Sequence, residues 1–358
     1  MNFLFYGLVL TQWPGADPTD WKKAESAYLK NIRQITSDDV FARAGEAYFS
    51  PDGKSIVFQA EEKGSGNPFY QIYTMDLATR KPLRISPGVG KTTCAYFHPE
   101  GKKLIYASTH LDPQAKEHYA AEFKLREEER KSGKRRRYAW DFDPHFDIFE
   151  CALDGSKRRR LTDTPGYDAE GSYSPCGKYI VFCSNRSGES NLELYIMDAD
   201  GKNVRQLTKA PNCYNGGPFF SPDGKRVIFR SDRKKKDQLQ LYVIDVDGSK
   251  ERALTEDENW VQWGPYWYKD SKHIVYAAAD HGVPGRPNYD LYWMNVETRK
   301  KVRLTFAPGA DVLPVPSPDG TQLLWTSTRD GRQPSQIYLA DFTPPKLDDE
   351  PPAATQTK

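Results

Sequence analysis

One turn signature recurs six times along the chain, and its spacing restricts the fold more than any other feature. The copies are Ser50-Pro51-Asp52-Gly53, His98-Pro99-Glu100-Gly101, Ser174-Pro175-Cys176-Gly177, Ser221-Pro222-Asp223-Gly224, Tyr268-Lys269-Asp270-Ser271 and Ser317-Pro318-Asp319-Gly320. Successive copies lie 48, 76, 47, 47 and 49 residues apart. A unit of about 47 residues therefore repeats, and the second step holds an insertion of about 30. Proline presets φ at the second place, an acid suits the third, and glycine takes the left-handed residue that closes a hairpin. Each signature should thus join two antiparallel strands.

The segments between the signatures supply the remaining strands. A β-branched and aromatic run follows each turn, as in Ser55-Ile56-Val57-Phe58 or Gln322-Leu323-Leu324-Trp325. A third run recurs as Ile72-Tyr73-Thr74-Met75-Asp76 or Leu194-Tyr195-Ile196-Met197-Asp198. A fourth ends in Leu83-Arg84-Ile85-Ser86, Arg160-Leu161-Thr162, Gln206-Leu207-Thr208, Ala253-Leu254-Thr255 or Arg303-Leu304-Thr305. The last repeat lacks it, because the chain passes from Asp341 to Pro344-Pro345. Ile32-Arg33-Gln34-Ile35-Thr36 has the missing pattern and precedes the first repeat. The expected fold is all-β: a six-bladed β-propeller of four-stranded antiparallel blades, closed by the N-terminal strand.

These residues resemble the TolB-type propeller repeats, whose pattern is a WSPDG-like turn, an IYxMD-like strand and an RxLT-like outer strand. The resemblance covers roughly residues 31 to 342. It implies a fold shared by Tol-system periplasmic proteins, by non-catalytic domains of prolyl-oligopeptidase-like peptidases and by some polysaccharide lyases, and so says little about activity. The sequence has no GxSxG nucleophile elbow, so the peptidase members lend a fold and no chemistry. The amino-terminal domain of TolB has no counterpart among these residues.

Outside the repeats, residues 1–16 have the apolar core and small-residue end of an export signal, which points to a periplasmic or secreted protein. Residues 17–30 read as a helical arm, begun by Asp17 as N-cap with Pro18 in first place. The insertion, about 111–146, reads as a charged helix begun by Asp112-Pro113 and stopped at Gly133, with Glu122/Arg126 and Glu127/Lys131 spaced for ion pairs. Residues 343–358 read as a disordered tail. No other segment approaches the ~18 apolar residues that span a bilayer. The 51 Lys and Arg against 49 Asp and Glu leave no field that would hold nucleic acid, so the basic runs at 134–137, 157–160 and 233–236 read as solvated loops. Five cysteines without a CxxC pair suggest neither a zinc site nor a disulfide framework.

The innermost strand of each blade, which lines the central channel, should be the one that enters the turn signature. The channel positions are taken as Ala44 and Glu46, Thr92 and Cys94, Asp168 and Glu170, Asn215 and Gly217, Gln262 and Gly264, and Val312 and Pro314. Asp168 and Glu170 then form a carboxylate pair that could hold a divalent cation, in an otherwise water-filled channel. The connection after each second strand opens on the same face. It carries Glu61, His110, Arg186, Arg233, Asp280 with His281, and Arg329, and the recurrent arginine is expected to tie neighbouring blades together. The return of the insertion mixes cations, aromatics and carboxylates, with Arg137, Trp140, Asp143 and His145 as the recognition candidates.

The expected function is non-catalytic binding of a protein or cell-envelope component through this funnel face, by a monomer without a cofactor. The alternative is a metal-assisted polysaccharide lyase or hydrolase that uses Asp168, Glu170 and one of His110, His145 or His281.

Overall fold

In the computed structural model, residues 20–134, 142–188, 191–329 and 334–347 are described. The signature turns close as their chemistry requires. In the first, Gly53 N donates to Ser50 O at 2.9 Å with φ +71°, and the Ser50 hydroxyl bonds Asp52 at 2.6 Å while accepting from Ser55 N at 2.9 Å. Each turn leads into an antiparallel sheet of four strands, and six such sheets form. Blade 1 comprises Phe41–Phe49, Ser55–Glu62, Gln71–Asp76 and Pro82–Arg84, from the axis outward. The innermost strands of blades 2 to 6 are Thr92–Phe97, Asp168–Tyr173, Asn215–Phe220, Trp260–Trp267 and Asp311–Pro316. Each packs on the next in sequence, and the sixth on the first.

One aromatic pair repeats in every blade, joining the second and third strands. The pairs are Phe58/Tyr73, Tyr106/Phe149, Phe182/Tyr195, Phe229/Tyr242, Tyr276/Tyr292 and Trp325/Tyr338, with ring centroids 5.6–6.1 Å apart. All six second-strand rings are buried. Such cross-strand aromatic pairs add about 0.5–1.5 kcal/mol each beyond the area they bury.

The sixth blade is completed from the other end of the chain. Leu29–Gln34 pairs antiparallel with Gln336–Phe342, Leu29 opposite Phe342 and Gln34 opposite Tyr338, which starts the pairing three residues before the segment read from the sequence. Its six residues exceed the two or three of every other outer strand. Just beyond it, Thr36 makes the bond that a Ser or Thr makes in each of the other blades. The hydroxyls of Ser86, Thr162, Thr208, Thr255, Thr305 and Thr36 accept from Ile72, Ile148, Leu194, Leu241, Leu291 and Ile337 amides at 2.8–3.0 Å. The Thr36 hydroxyl also donates to Gln336 Oε1 at 2.6 Å, so both sides of this buried link are satisfied.

Both helices start later than the sequence suggested. The N-terminal helix is Trp21–Glu25, capped by Asp20, whose carboxylate accepts from Lys23 N at 3.1 Å; Asp17 and Pro18, like the export pattern at 1–16, lie outside the described residues. The insertion helix is Glu117–Ser132. Asp112 instead turns the chain ahead of it by accepting from Gln114 N at 2.9 Å, and a carboxylate used for that turn is not available as N-cap. Gly133 stops the helix in the left-handed conformation as expected, and both predicted ion pairs form. All five cysteines are free, and among the described residues no helix is long and apolar enough to cross a membrane.

Removal of residues 1–36 should abolish the single cooperative thermal transition, because it strips a complete outer strand. Thr36→Val, which leaves Gln336 Oε1 buried without its donor, should lower stability by about 1–3 kcal/mol in urea titrations. An unchanged transition in the truncated chain would show that the ring does not depend on this strand.

A blind funnel as the candidate functional site

Every innermost strand carries a one-residue bulge at the same place. The register with the second strand slips there in all six blades. The bulged residues are Glu46, Cys94, Glu170, Gly217, Gly264 and Leu313, all at φ between +46° and +58°. Each stands four residues before the head of its turn signature, so the sixth-blade equivalents are Asp311 and Leu313, one residue away from Val312 and Pro314. The bulge also breaks the two-residue alternation, and with it the supposition that Asp168 and Glu170 act as a pair.

The two carboxylates are directed to different partners. Both Asp168 oxygens accept from Arg186 Nη2, at 2.9 and 3.0 Å, and Arg186 Nε reaches Ser184 Oγ at 2.8 Å. The guanidinium lies 5.1 Å from the centroids of Phe182 and Tyr195. Blade 4 repeats the clamp with Arg233 on Asn215 (2.7 Å), Ser231 and Tyr242, and blade 6 with Arg329 on Asp311 (2.7 Å) and Tyr338. The recurrent arginine therefore ties strands within its own blade, where the sequence suggested a tie between neighbours. Arg329 does more, because it also bonds Glu25 of the N-terminal helix at 3.2 Å, and Glu25 in turn accepts from Phe306 N and Ala307 N. His110 takes the arginine's place in blade 2, bonded to Ser108 Oγ at 2.9 Å and lying against Phe149. Burial and the charges of Arg158 and Arg160 push its pKa down to about 4.

Glu170 faces the axis and is saturated. It accepts from Gly217 N at 2.5 Å, Arg230 Nη2 at 3.0 Å, Tyr214 OH at 3.0 Å and Tyr167 OH at 3.3 Å. Arg230 belongs to the second strand of its blade; it reaches the axis because Gly217 carries no side chain, and Gly216 leaves room for the Tyr214 hydroxyl beside it. A Cβ on Gly217 would lie 2.2 Å from Arg230 Nη1, and one on Gly216 would lie 2.1 Å from Tyr214 OH. This route was not anticipated, although the Gly216-Gly217 pair inside a strand was a signal for a close approach. Glu46, by contrast, accepts from Tyr48 OH at 3.1 Å and has the Cys94 thiol beside it, and burial raises its pKa above the ordinary 4.5.

Two residues nearer the turns, the axis is blocked. Tyr48, Tyr96, Phe219 and Tyr266 come from blades 1, 2, 4 and 5, and their ring centroids lie 4.9–5.9 Å apart. Tyr96 and Tyr266, from opposite blades, meet hydroxyl to hydroxyl at 2.7 Å. The water-filled channel expected from the sequence is thus interrupted by an aromatic floor, with Glu46, Cys94 and Glu170 on the side of the insertion.

At the mouth, Arg126 of the insertion helix bonds Glu61 at 2.7 and 3.2 Å and Pro68 O at 2.6 Å, which fastens the helix to blade 1. Asp143 holds Lys91 at 3.2 Å, and His145 lies 3.4 Å from Asp143. His281 is exposed and bonds Tyr289 OH at 2.8 Å. Arg137 and Trp140 lie outside the described residues. The basic run at 157–160 is exposed as expected, although Arg158 also donates to Ile85 O of blade 1 and Arg160 to Asp147. Among the described residues no three His, Cys, Asp or Glu converge as metal ligands, and the donors proposed for a cation, Asp168 and Glu170, are occupied by Arg186 and Arg230.

Six four-stranded blades around a blind axis define a six-bladed β-propeller. A family model described as TolB beta propeller domain matches residues 189–285, within the third to fifth blades, so this part of the ring is similar to the TolB-type repeat. An uncharacterized protein of Agrobacterium fabrum is 29% identical over 165 residues, and the match spans 44% of this chain and 44% of that relative. Among solved structures, a protein assigned as TolB from Agrobacterium tumefaciens superposes with a TM-score of 0.57 at 19% identity, over 88% of this chain and 98% of that one. TolB from Acinetobacter baumannii gives 0.52 at 20%, over 84% and 63%. An oligogalacturonate lyase from Vibrio parahaemolyticus gives 0.53 at 14%, over 87% and 93%, a likeness of fold alone.

Two outcomes follow from the paired and unpaired acids. Arg230→Met should cost about 3 kcal/mol, because Glu170 is left buried without its cation. Glu46 favours its neutral form in the folded chain, so its contribution to stability is present below pH 4.5 and is lost as pH rises through the raised pKa. Glu46→Gln should therefore match the parent at pH 4 and exceed it at pH 8. Equal urea midpoints at both pH values would mean that Glu46 ionises without penalty.

Proposed function

We propose that the chain is a non-catalytic TolB-like scaffold that binds a protein or cell-envelope component at the funnel face, in the periplasm or outside the cell. The observation that carries this reading is the closed floor: a ligand entering from the face that bears the insertion cannot pass through to the turns. The neighbouring acids support it, since Asp168, Glu170 and Asp311 are each held by an arginine and offer no free base. The insertion helix supports it too, because Phe123 and Phe142 beside its return stay exposed at 47% and 41%. The export pattern at the N-terminus favours the location.

A photo-crosslinking amino acid placed at Phe123 or Phe142 should give adducts in an envelope extract of the source organism. The same group at Tyr179, which is exposed at 44% beside the turns on the far face, should give none. Adducts at Tyr179 alone would place recognition on the wrong face. Trp140→Ala should weaken capture by about 2 kcal/mol if that residue anchors the partner.

A further inference from the structure

We infer that the funnel receives a primary ammonium group, seated between the Glu46 carboxylate and the aromatic floor; this rests on the funnel being the binding face. The charges around the axis isolate one group. Asp168 is held by Arg186, Glu170 by Arg230, Asp311 by Arg329, Glu61 by Arg43 and Arg126, and Asp143 by Lys91. Among the described residues no Lys or Arg touches Glu46. Its neighbours are the Tyr48 hydroxyl, the Cys94 thiol and, through its own amide, Thr326 Oγ1 at 3.0 Å, with the Glu170–Arg230 pair near enough for the acid to oppose its ionisation and the guanidinium to favour it. Glu46 nevertheless keeps part of its surface open to water, as do Cys94, Tyr96, Phe219 and Tyr266 around the axis. A small group can therefore reach it.

The surroundings select the class of ligand. Calcium takes six to eight oxygens, whereas the floor beneath Glu46 presents the carbon rings of Tyr48, Tyr96, Phe219 and Tyr266. An anion would meet Glu46 and find Arg230 already engaged by Glu170. An ammonium group on an aliphatic stem can donate to the carboxylate and lie against the rings, which attract a cation through their quadrupoles. The source is either a lysine side chain of a partner segment or a free amine. Since burial keeps Glu46 protonated above the ordinary range, binding should release a proton from its carboxyl and tighten as pH rises.

Calorimetry on the full chain separates these cases, with n-butylammonium, neutral 1-butanol, calcium chloride and an acetylated, amidated Gly-Gly-Lys-Gly-Gly peptide as probes. Butylammonium should bind at least tenfold tighter than butanol and release protons in buffers of different ionisation heat. Glu46→Gln should lower its affinity tenfold or more, and Tyr266→Leu severalfold, in chains whose thermal transitions stay cooperative. Tighter binding of the peptide than of butylammonium assigns the site to a partner's lysine, and the reverse assigns it to a free amine. Equal affinity for butanol, indifference to Glu46→Gln, or calcium displacing the amine at this site would overturn the inference. Crosslinking at the mouth that persists while butylammonium fails to bind would sink this inference and leave the broader binding reading standing.

Discussion

The whole arrangement depends on one strand borrowed from the far end of the chain. Five outer strands of two or three residues suffice where the chain runs directly on from the third strand of the same blade. The sixth is held by no such continuity, and its pairing runs to six residues. Thr36 then reproduces a hydroxyl-to-amide link found in the other five blades, about 300 residues from its partner. A contact that distant carries a large loop-closure cost, which the longer ladder and the buried Thr36–Gln336 bond offset. With the ring closed, the inner strands cannot splay, and rings from blades 1 and 4, or 2 and 5, are forced into contact across the axis.

That confinement also governs the electrostatics. Acids that point toward the axis are withdrawn from bulk water, and a charge buried in this way is tolerable only when it is paired and hydrogen-bonded. Five solutions are the same in kind: an arginine or lysine is brought to the acid from a strand, a connecting loop or the insertion. Arg230 is the extreme case, since its path to Glu170 required Gly217 in the strand it crosses. Glu46 has a bulged backbone at φ +46° and no cation, an arrangement that costs roughly 1 kcal/mol in conformation alone and gives no return in pairing.

The fold was legible in the sequence because its determinants are local. Pro, Asp and Gly in a tight turn act within four residues, and six repetitions left little freedom in strand order. The start of the insertion helix was missed by four residues because an Asp-Pro pair serves a turn as readily as a cap, as Asp112 does. The site was less legible for two physical reasons. A bulge changes which side chains reach the axis without changing composition, so simple alternation paired Asp168 with Glu170; the sixth-blade residues were misplaced by a one-residue offset from the turn. Convergence of rings from opposite blades is a property of the closed circle, and nothing near Tyr48 or Phe219 in the chain announces it.

A propeller with an open channel can pass or clamp an extended chain from either side, whereas a blocked axis admits only the end of a ligand. Recognition is then divided by depth. The mouth, built from the insertion and the loops that Arg126 and Lys91 hold in place, can cover a broad surface with polar and aromatic contacts. The base is narrow, aromatic and carries one uncompensated acid, so it can read only a small terminal group. Breadth at the rim governs how much of a partner is engaged, and the chemistry at Glu46 decides which tip can be accommodated.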